Sequence, residues 1–152
     1  MLYVGNGQDE KALRKYISDL KMDDRIKMCG KVTDRELLAD YYARSDLFLF
    51  PSLYDASSIV QIEAASQSTP CVFVKGAATA ATVTDNVNGF LADNDPESYS
   101  ERIMEIMDNE ELYRKASLNA RSQLYVNWDD KMMEVMELYR ELIRKHRENL
   151  YR

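Results

Sequence analysis

Residues 47–74 read LFLFPSLYDASSIVQIEAASQSTPCVFV. Leu47-Phe48-Leu49-Phe50 is a continuous apolar run stopped by Pro51, the pattern of a strand buried on both faces, and Cys71-Val72-Phe73-Val74 is a second such run. Between them a helix is expected over residues 58–66. A strand, a helix and a strand with short connections imply a parallel pair joined by a right-handed crossover.

The same alternation extends in both directions. Upstream, Leu2-Tyr3-Val4 forms a short strand ending in Gly5-Asn6-Gly7, and a helix follows with Leu13, Tyr16, Ile17 and Leu20 at helical spacing. Arg25 to Cys29 is the next strand, stopped by Gly30. Thr33 and Glu36 have capping-box spacing and open a helix whose inner face is Leu37, Leu38, Tyr41 and Tyr42. Downstream, Phe90-Leu91 makes a last short strand after Asn88-Gly89. Beyond Asp95 the pattern is helical only, with an N-cap and proline pair at Asp95-Pro96 and helices expected over 96–107, 109–124 and 130–149. The last carries Met132, Val135, Met136, Tyr139, Leu142 and Ile143 on one side, a stripe that suits either core packing or a partner domain. The expected fold class is α/β: a Rossmann-like open parallel sheet with helices on both faces and a helical C-terminal extension. Residues 1–152 are expected to form one domain, with the α/β part over 1–94 and the helices over 95–152.

Bulk composition narrows the function. The 152 residues carry a net charge of −6, with Lys and Arg interleaved among Asp and Glu, which argues against nucleic acid as a partner. No apolar run approaches the roughly 20 residues that cross a bilayer, and no leader pattern is visible, so a cytoplasmic protein is expected. Cys29 and Cys71 lie far apart in apolar runs and read as buried reduced thiols. His146 stands alone among Arg and Lys. Neither a histidine-based triad nor a metal site is expected.

In open parallel sheets, ligands sit outside the carboxyl ends of strands, against helix N-termini. Gly5-Asn6-Gly7 is one such place, but Glu10 stands where a dinucleotide fingerprint needs its third glycine, and a plain tight turn explains it equally well. The segment after Leu47–Phe50 offers more. Asp55, Ser57 and Ser58 sit at the mouth of a helix, where backbone N–H groups are unspent, and Ile59 and Glu63 share one face further on. A ligand with an anionic middle and hydroxyl groups at both ends would suit this layout. An ordinary cap at Asp55 and a solvated Glu63 remain the alternative.

The segment resembles the donor-binding signature of the retaining GT-B glycosyltransferases, the glycosyl transferases group 1 family, P-S-x-x-E-G-F-G-L-x-x-x-E-A-x-A-x-G-x-P-V. Pro51, Ser52, Glu63, Ala64 and Pro70 match as they stand. LYVGNG is similar to the family's strand ending in G-x-G, IKMCGKVTDRELLADYYARSDLFLFPS to the stretch that precedes the signature, TDNVNGFL to E-D-G-x-N-G-F-L, and VNWDD to the F-S-W-E before the final helix. The resemblance implies the C-terminal, donor-binding domain of such an enzyme, truncated at its N-terminal side. It implies that Glu63 binds the ribose hydroxyls and Asp55 the donor sugar, the two acids being the catalytic pair. Backbone amides near Ser57, Ser58 and Ile59 would face the pyrophosphate. Lys31 and Val32 would frame the base, and Gly5 and Gly7 would admit close approach. UDP is the expected nucleotide, with GDP and ADP as alternatives.

The nucleotide sugar would then be a substrate, with no cofactor and no metal. The implied partner is the missing N-terminal acceptor domain, through which the complete protein would reach a membrane surface. A glycan or lipid hydroxyl is the implied acceptor. Two departures stand out: Asp55 replaces the family's Glu, and Ala77-Ala78-Thr79-Ala80-Ala81 replaces its G-G-x-P-E, with Ala81 at the Glu position. They keep open a second reading, a binding or assembly module that retains the fold without transferase activity.

Overall fold

The computed structural model describes residues 1–55 and 59–150, in two compact units spanning 1–44 and 45–152. In the first unit, β1 (Leu2–Val4) leads through α1 (Glu10–Asp19) to β2 (Lys27–Gly30) and α2 (Arg35–Ala43). β1 and β2 pair in parallel, with the register broken between Tyr3 and Val4. Ile17 of α1 and Tyr42 of α2 are buried, whereas Tyr16, Leu20 and Leu37 are exposed. The cap of α2 is Asp34 rather than Thr33. Its Oδ1 accepts the backbone N–H of Glu36 at 2.9 Å and of Leu37 at 3.2 Å. Asp is a stronger N-cap than Thr, so the helix starts one residue later than the capping-box spacing predicts.

The second unit holds β3 (Phe48–Phe50), α3 (Ile59–Ser66), β4 (Cys71–Val74) and β5 (Phe90–Ala92), followed by α4 (Pro96–Asp108), α5 (Glu110–Leu124) and α6 (Trp128–Leu150). Its strands run parallel in the order β3-β4-β5, with Phe48 opposite Cys71 and Val72 opposite Phe90. All strand pairing is parallel, as the alternating pattern requires, but the described strands form two sheets rather than one. β4 is fully buried, as its continuous apolar run predicts. β3, expected to be buried on both faces, is only half-buried, whereas β5 at the other edge of the order β3-β4-β5 is covered by Ile106 of α4 and Ala116 of α5.

Phe90 and Ala92 of β5 meet Val72, Ile106 of α4 and Ala116 of α5 in a core that also takes Leu47, Leu49, Tyr99 and Leu112. Ala65 of α3 packs with Ala120 and Leu124 of α5, and the two alanines let the helices approach closely. Tyr99 Oη donates to the Val72 carbonyl at 2.7 Å, and burial raises the phenol's pKa. Asp95 caps α4 as expected, accepting the Ser98 N–H at 2.8 Å. That bond lowers the Asp95 pKa.

The two thiols differ. Cys71 is buried, and burial raises its pKa, whereas Cys29 is only half-buried and bonded to Tyr41, contrary to the expectation for both. The stripe on α6 is not core: every residue from 128 to 149 is exposed, Trp128, Met132, Tyr139, Leu142 and Ile143 among them.

Ser68 lies just past α3 with φ +63°, where the family pattern carries glycine. A left-handed residue beyond a helix end favours glycine, which has no Cβ to crowd the following carbonyl. Ser117 Oγ holds the Ser68 carbonyl at 2.6 Å, so the conformation is fixed from outside. Ser68→Gly is expected to stabilise the chain by about 0.5–1 kcal/mol after the entropy of the added glycine is counted. A thermal melt that stays put or falls would show that the serine is unstrained there.

Candidate functional site

β3, β4 and β5 are parallel, so their carboxyl ends, at Phe50, Val74 and Ala92, lie on one side of the sheet. Pro51 ends β3 because it cannot donate to the ladder, and the chain runs on through Ser52, Leu53, Tyr54 and Asp55. Ser52 Oγ donates to Asp55 Oδ2 at 2.7 Å and accepts the Tyr54 N–H at 3.4 Å. Asp55 is exposed, and Tyr54 beside it is 96% exposed. Ser57 and Ser58, expected at the helix mouth, lie outside the described residues.

α3 is described from Ile59, whose side chain is 65% exposed. Gln61, Ala64 and Ala65 are its buried residues. Glu63 is half-buried, one turn beyond Ile59, so the two share a helical face as the sequence predicts. The helix is anchored by Ser66 Oγ, which donates to the Glu63 carbonyl at 2.6 Å, and by Thr82 Oγ1, which donates to Gln61 Oε1 at 3.1 Å.

The loop after β4 is a single turn of 3-10 helix over Ala78–Ala80, with Ala77, Thr79 and Ala80 buried. Ala81, where the family has its Glu, is exposed and carries no side chain able to reach a ligand. TDNVNGF, residues 84–90, is visible in the sequence only as a resemblance. In the structure it is a turn built on Asn88, whose Oδ1 accepts the Thr84 N–H at 2.8 Å and whose Nδ2 donates to the Thr82 carbonyl at 3.4 Å and Gln123 Oε1 at 3.1 Å. Asn119 Nδ2 donates to the Val87 carbonyl at 2.9 Å. The motif's work is structural: it fastens the turn to α5.

In the first unit, Gly5 and Gly30 follow β1 and end β2 with φ +140° and +69°, conformations that favour glycine. The Gly5 N–H donates to the Gly30 carbonyl at 2.8 Å, which brings the two loops together at the carboxyl ends of their strands. Gly7 accepts the Glu10 N–H at 3.2 Å as α1 begins. Lys31 is exposed and Val32 half-buried in the loop after β2.

An open groove of about 610 Å³ lies elsewhere, beside β5 and α4, lined by Lys75, Asp85, Asp93, Glu101, Arg102 and Glu105. It contains none of the expected site residues. Arg102 is already paired with Glu105 at 2.7 Å and Asp85 at 3.1 Å, bonded to Asn86, and stacked over Phe90 at 5.7 Å. Asp85 also accepts the Leu91 N–H at 2.9 Å. The Arg102 contacts fasten the turn before β5 to α4. Among the described residues, no group of three or more His, Cys, Asp or Glu side chains could hold a metal ion, and no helix is long and apolar enough to cross a membrane.

Residues 1–123 match the family described as "Glycosyl transferases group 1". The N-acetyl-alpha-D-glucosaminyl L-malate synthase of Bacillus anthracis is 25% identical over 126 residues, 82% of this chain and 32% of that protein. Among solved structures, the sucrose-phosphate synthase of Thermosynechococcus elongatus superposes with a TM-score of 0.79 at 25% identity, covering 95% of this chain and 38% of that one. HepE of Anabaena, in complex with UDP and glucose, gives a TM-score of 0.70 at 23% identity over 80% of this chain and 34% of its own. The chain thus spans about a third of the length of the proteins it resembles.

Proposed function

The chain belongs to the glycosyl transferases group 1 family, and from that premise we propose that it is the donor-binding part of a retaining glycosyltransferase that moves a sugar from a UDP-sugar to a glycan or lipid hydroxyl. The reading is supported by the family match across residues 1–123 together with the parallel strand β3, which leads through Asp55 into α3 and Glu63. In this reading Glu63 accepts hydrogen bonds from the ribose hydroxyls, and Asp55 accepts them from the donor sugar. The backbone amides from Ser57 to Ile59 meet the pyrophosphate. Lys31 and Val32 frame the base, while Gly5 and Gly7 admit close approach.

As the bond from the anomeric carbon to the phosphate oxygen breaks, negative charge grows on the departing phosphate. Amides fixed at a helix start stabilise that charge without reorganising. The reading therefore assigns the protein neither a metal nor a separate cofactor. The acceptor hydroxyl is held by a further, N-terminal domain of the complete cytoplasmic enzyme, which also carries any membrane contact. The present chain alone is then expected to bind donor weakly and to transfer little sugar.

Glu63→Ala is expected to weaken UDP binding about tenfold, the scale of one charge-assisted hydrogen bond, and to leave the melting temperature near that of the parent. NMR titration of the assigned amides from Ile59 to Glu63 reads both proteins. If neither protein responds to UDP, GDP or ADP at millimolar concentration, the donor site is elsewhere or absent. The exposed Ala81 and the Asp55 exchange favour a second reading, a binding module without transfer. Donor hydrolysis by the full-length protein separates the two.

A further inference from the structure

Ser52 and Asp55 are three residues apart in the segment that leaves β3, and Ser52 Oγ donates to Asp55 Oδ2 at 2.7 Å, the length of a well-formed hydroxyl hydrogen bond. The same Ser52 oxygen accepts the Tyr54 N–H at 3.4 Å, so one hydroxyl ties together the backbone before the acid and the acid itself. A carboxylate on so short a stem has two side-chain torsions, and this contact restrains both. A Glu at position 55 would add a third torsion and one methylene, leaving its carboxylate more freedom around the same partner. The family pattern pairs the same serine with Glu, so the serine is shared and only the shorter acid distinguishes this chain.

We infer that Ser52 is a positioning residue for the donor sugar: it orients the Asp55 carboxylate before any ligand arrives. The inference rests on the donor-site reading above. An acid oriented in advance loses less freedom when sugar hydroxyls bind, which strengthens binding without adding a contact. Ser52 acts through Asp55, so its influence is confined to the sugar end of the donor. The nucleotide end is untouched.

The consequence is a difference between two ligands. UDP and a panel of UDP-glucose, UDP-galactose and UDP-N-acetylglucosamine are titrated into the 152-residue chain, with the assigned amides from Ile59 to Glu63 as the readout. Ser52→Ala is expected to weaken the best-bound UDP-sugar about three- to tenfold and to leave UDP unchanged. Ser52→Thr, which keeps the hydroxyl, is expected to restore the parent affinity for the sugar. A general loosening of the segment would weaken UDP as well, and the threonine would not rescue it. Equal weakening of UDP and UDP-sugar, no weakening of either, or no panel member bound differently from UDP overturns the inference while the donor-site reading stands. Should the parent chain respond to none of the four ligands, that reading falls and this one falls with it.

Discussion

Phe90→Ala is expected to lower the stability of the chain by about 3–5 kcal/mol, enough to remove much of the stability of an ordinary domain. Phe90 is fully buried in β5, where it meets Val72, Ile106 and Ala116 and backs onto Leu47, Leu49, Tyr99 and Leu112. Its neighbours come from two strands and two helices, so they cannot all move in to fill the space. The truncation also strips the ring from beneath the Arg102 guanidinium, 5.7 Å away, and so loosens the ion pairs that hold the turn before β5. Urea unfolding followed by near-ultraviolet circular dichroism, to which the core-packed Tyr99 contributes, measures the change. The midpoint should fall, with little change in the denaturant slope. Leu118→Ala, at a position 70% exposed, should cost less than about 0.5 kcal/mol and serves as the control. Similar losses for the two variants would mean that the core has been misidentified.

The second large effect is expected at Asn88, which is only 4% exposed. Asn88→Ala removes three hydrogen bonds and leaves the Thr84 N–H, the Thr82 carbonyl and Gln123 Oε1 without their partner. Part-buried groups stranded in this way cost more than the bonds themselves were worth, and a loss of about 2–4 kcal/mol is expected. No small side chain can replace both the acceptor and the donors, so Asn88→Ser should recover only a fraction. Differential scanning calorimetry reads the loss. A melting temperature within about two degrees of the parent would mean that water substitutes freely and that the turn is not a structural anchor.

These two residues also mark where the sequence could and could not be read. The buried strand Cys71–Val74 and the helices beyond Asp95 were legible because each obeys a simple rule: a continuous apolar run, or a cap followed by 3.6-residue spacing. The cap falls at Asp34, one residue past Thr33: the capping-box spacing marks Thr33, but Asp caps more strongly than Thr. The role of Asn88 was hidden for a different reason. Its partners at positions 82, 84 and 123 are brought together by tertiary structure, and no periodicity records them. The elements flanking the candidate site were legible, since an apolar run stopped by Pro51 and the helical spacing of Ile59 and Glu63 follow simple rules, but the roles of Asp55 and Glu63 come from the resemblance alone. The Ser52 latch on Asp55 was not legible, because a hydroxyl three residues before an acid is common in loops and bonds only when the loop closes. The stripe on α6 was legible as amphipathic, but the pattern alone could not say whether it would be covered.

That last helix has a thermal consequence. Because residues 128–149 are all exposed, unwinding α6 uncovers little new apolar surface and absorbs little of the heat that burial elsewhere releases. It is held mainly by its own backbone bonds and by surface pairs such as Lys145 with Glu141 and Arg144 with Glu148, which salt screens. The chain should therefore lose ellipticity in a broad slope well below its calorimetric peak, and added salt should steepen the slope. Enthalpies fitted to the spectroscopic and calorimetric traces will disagree, and the peak alone reports on the sheet.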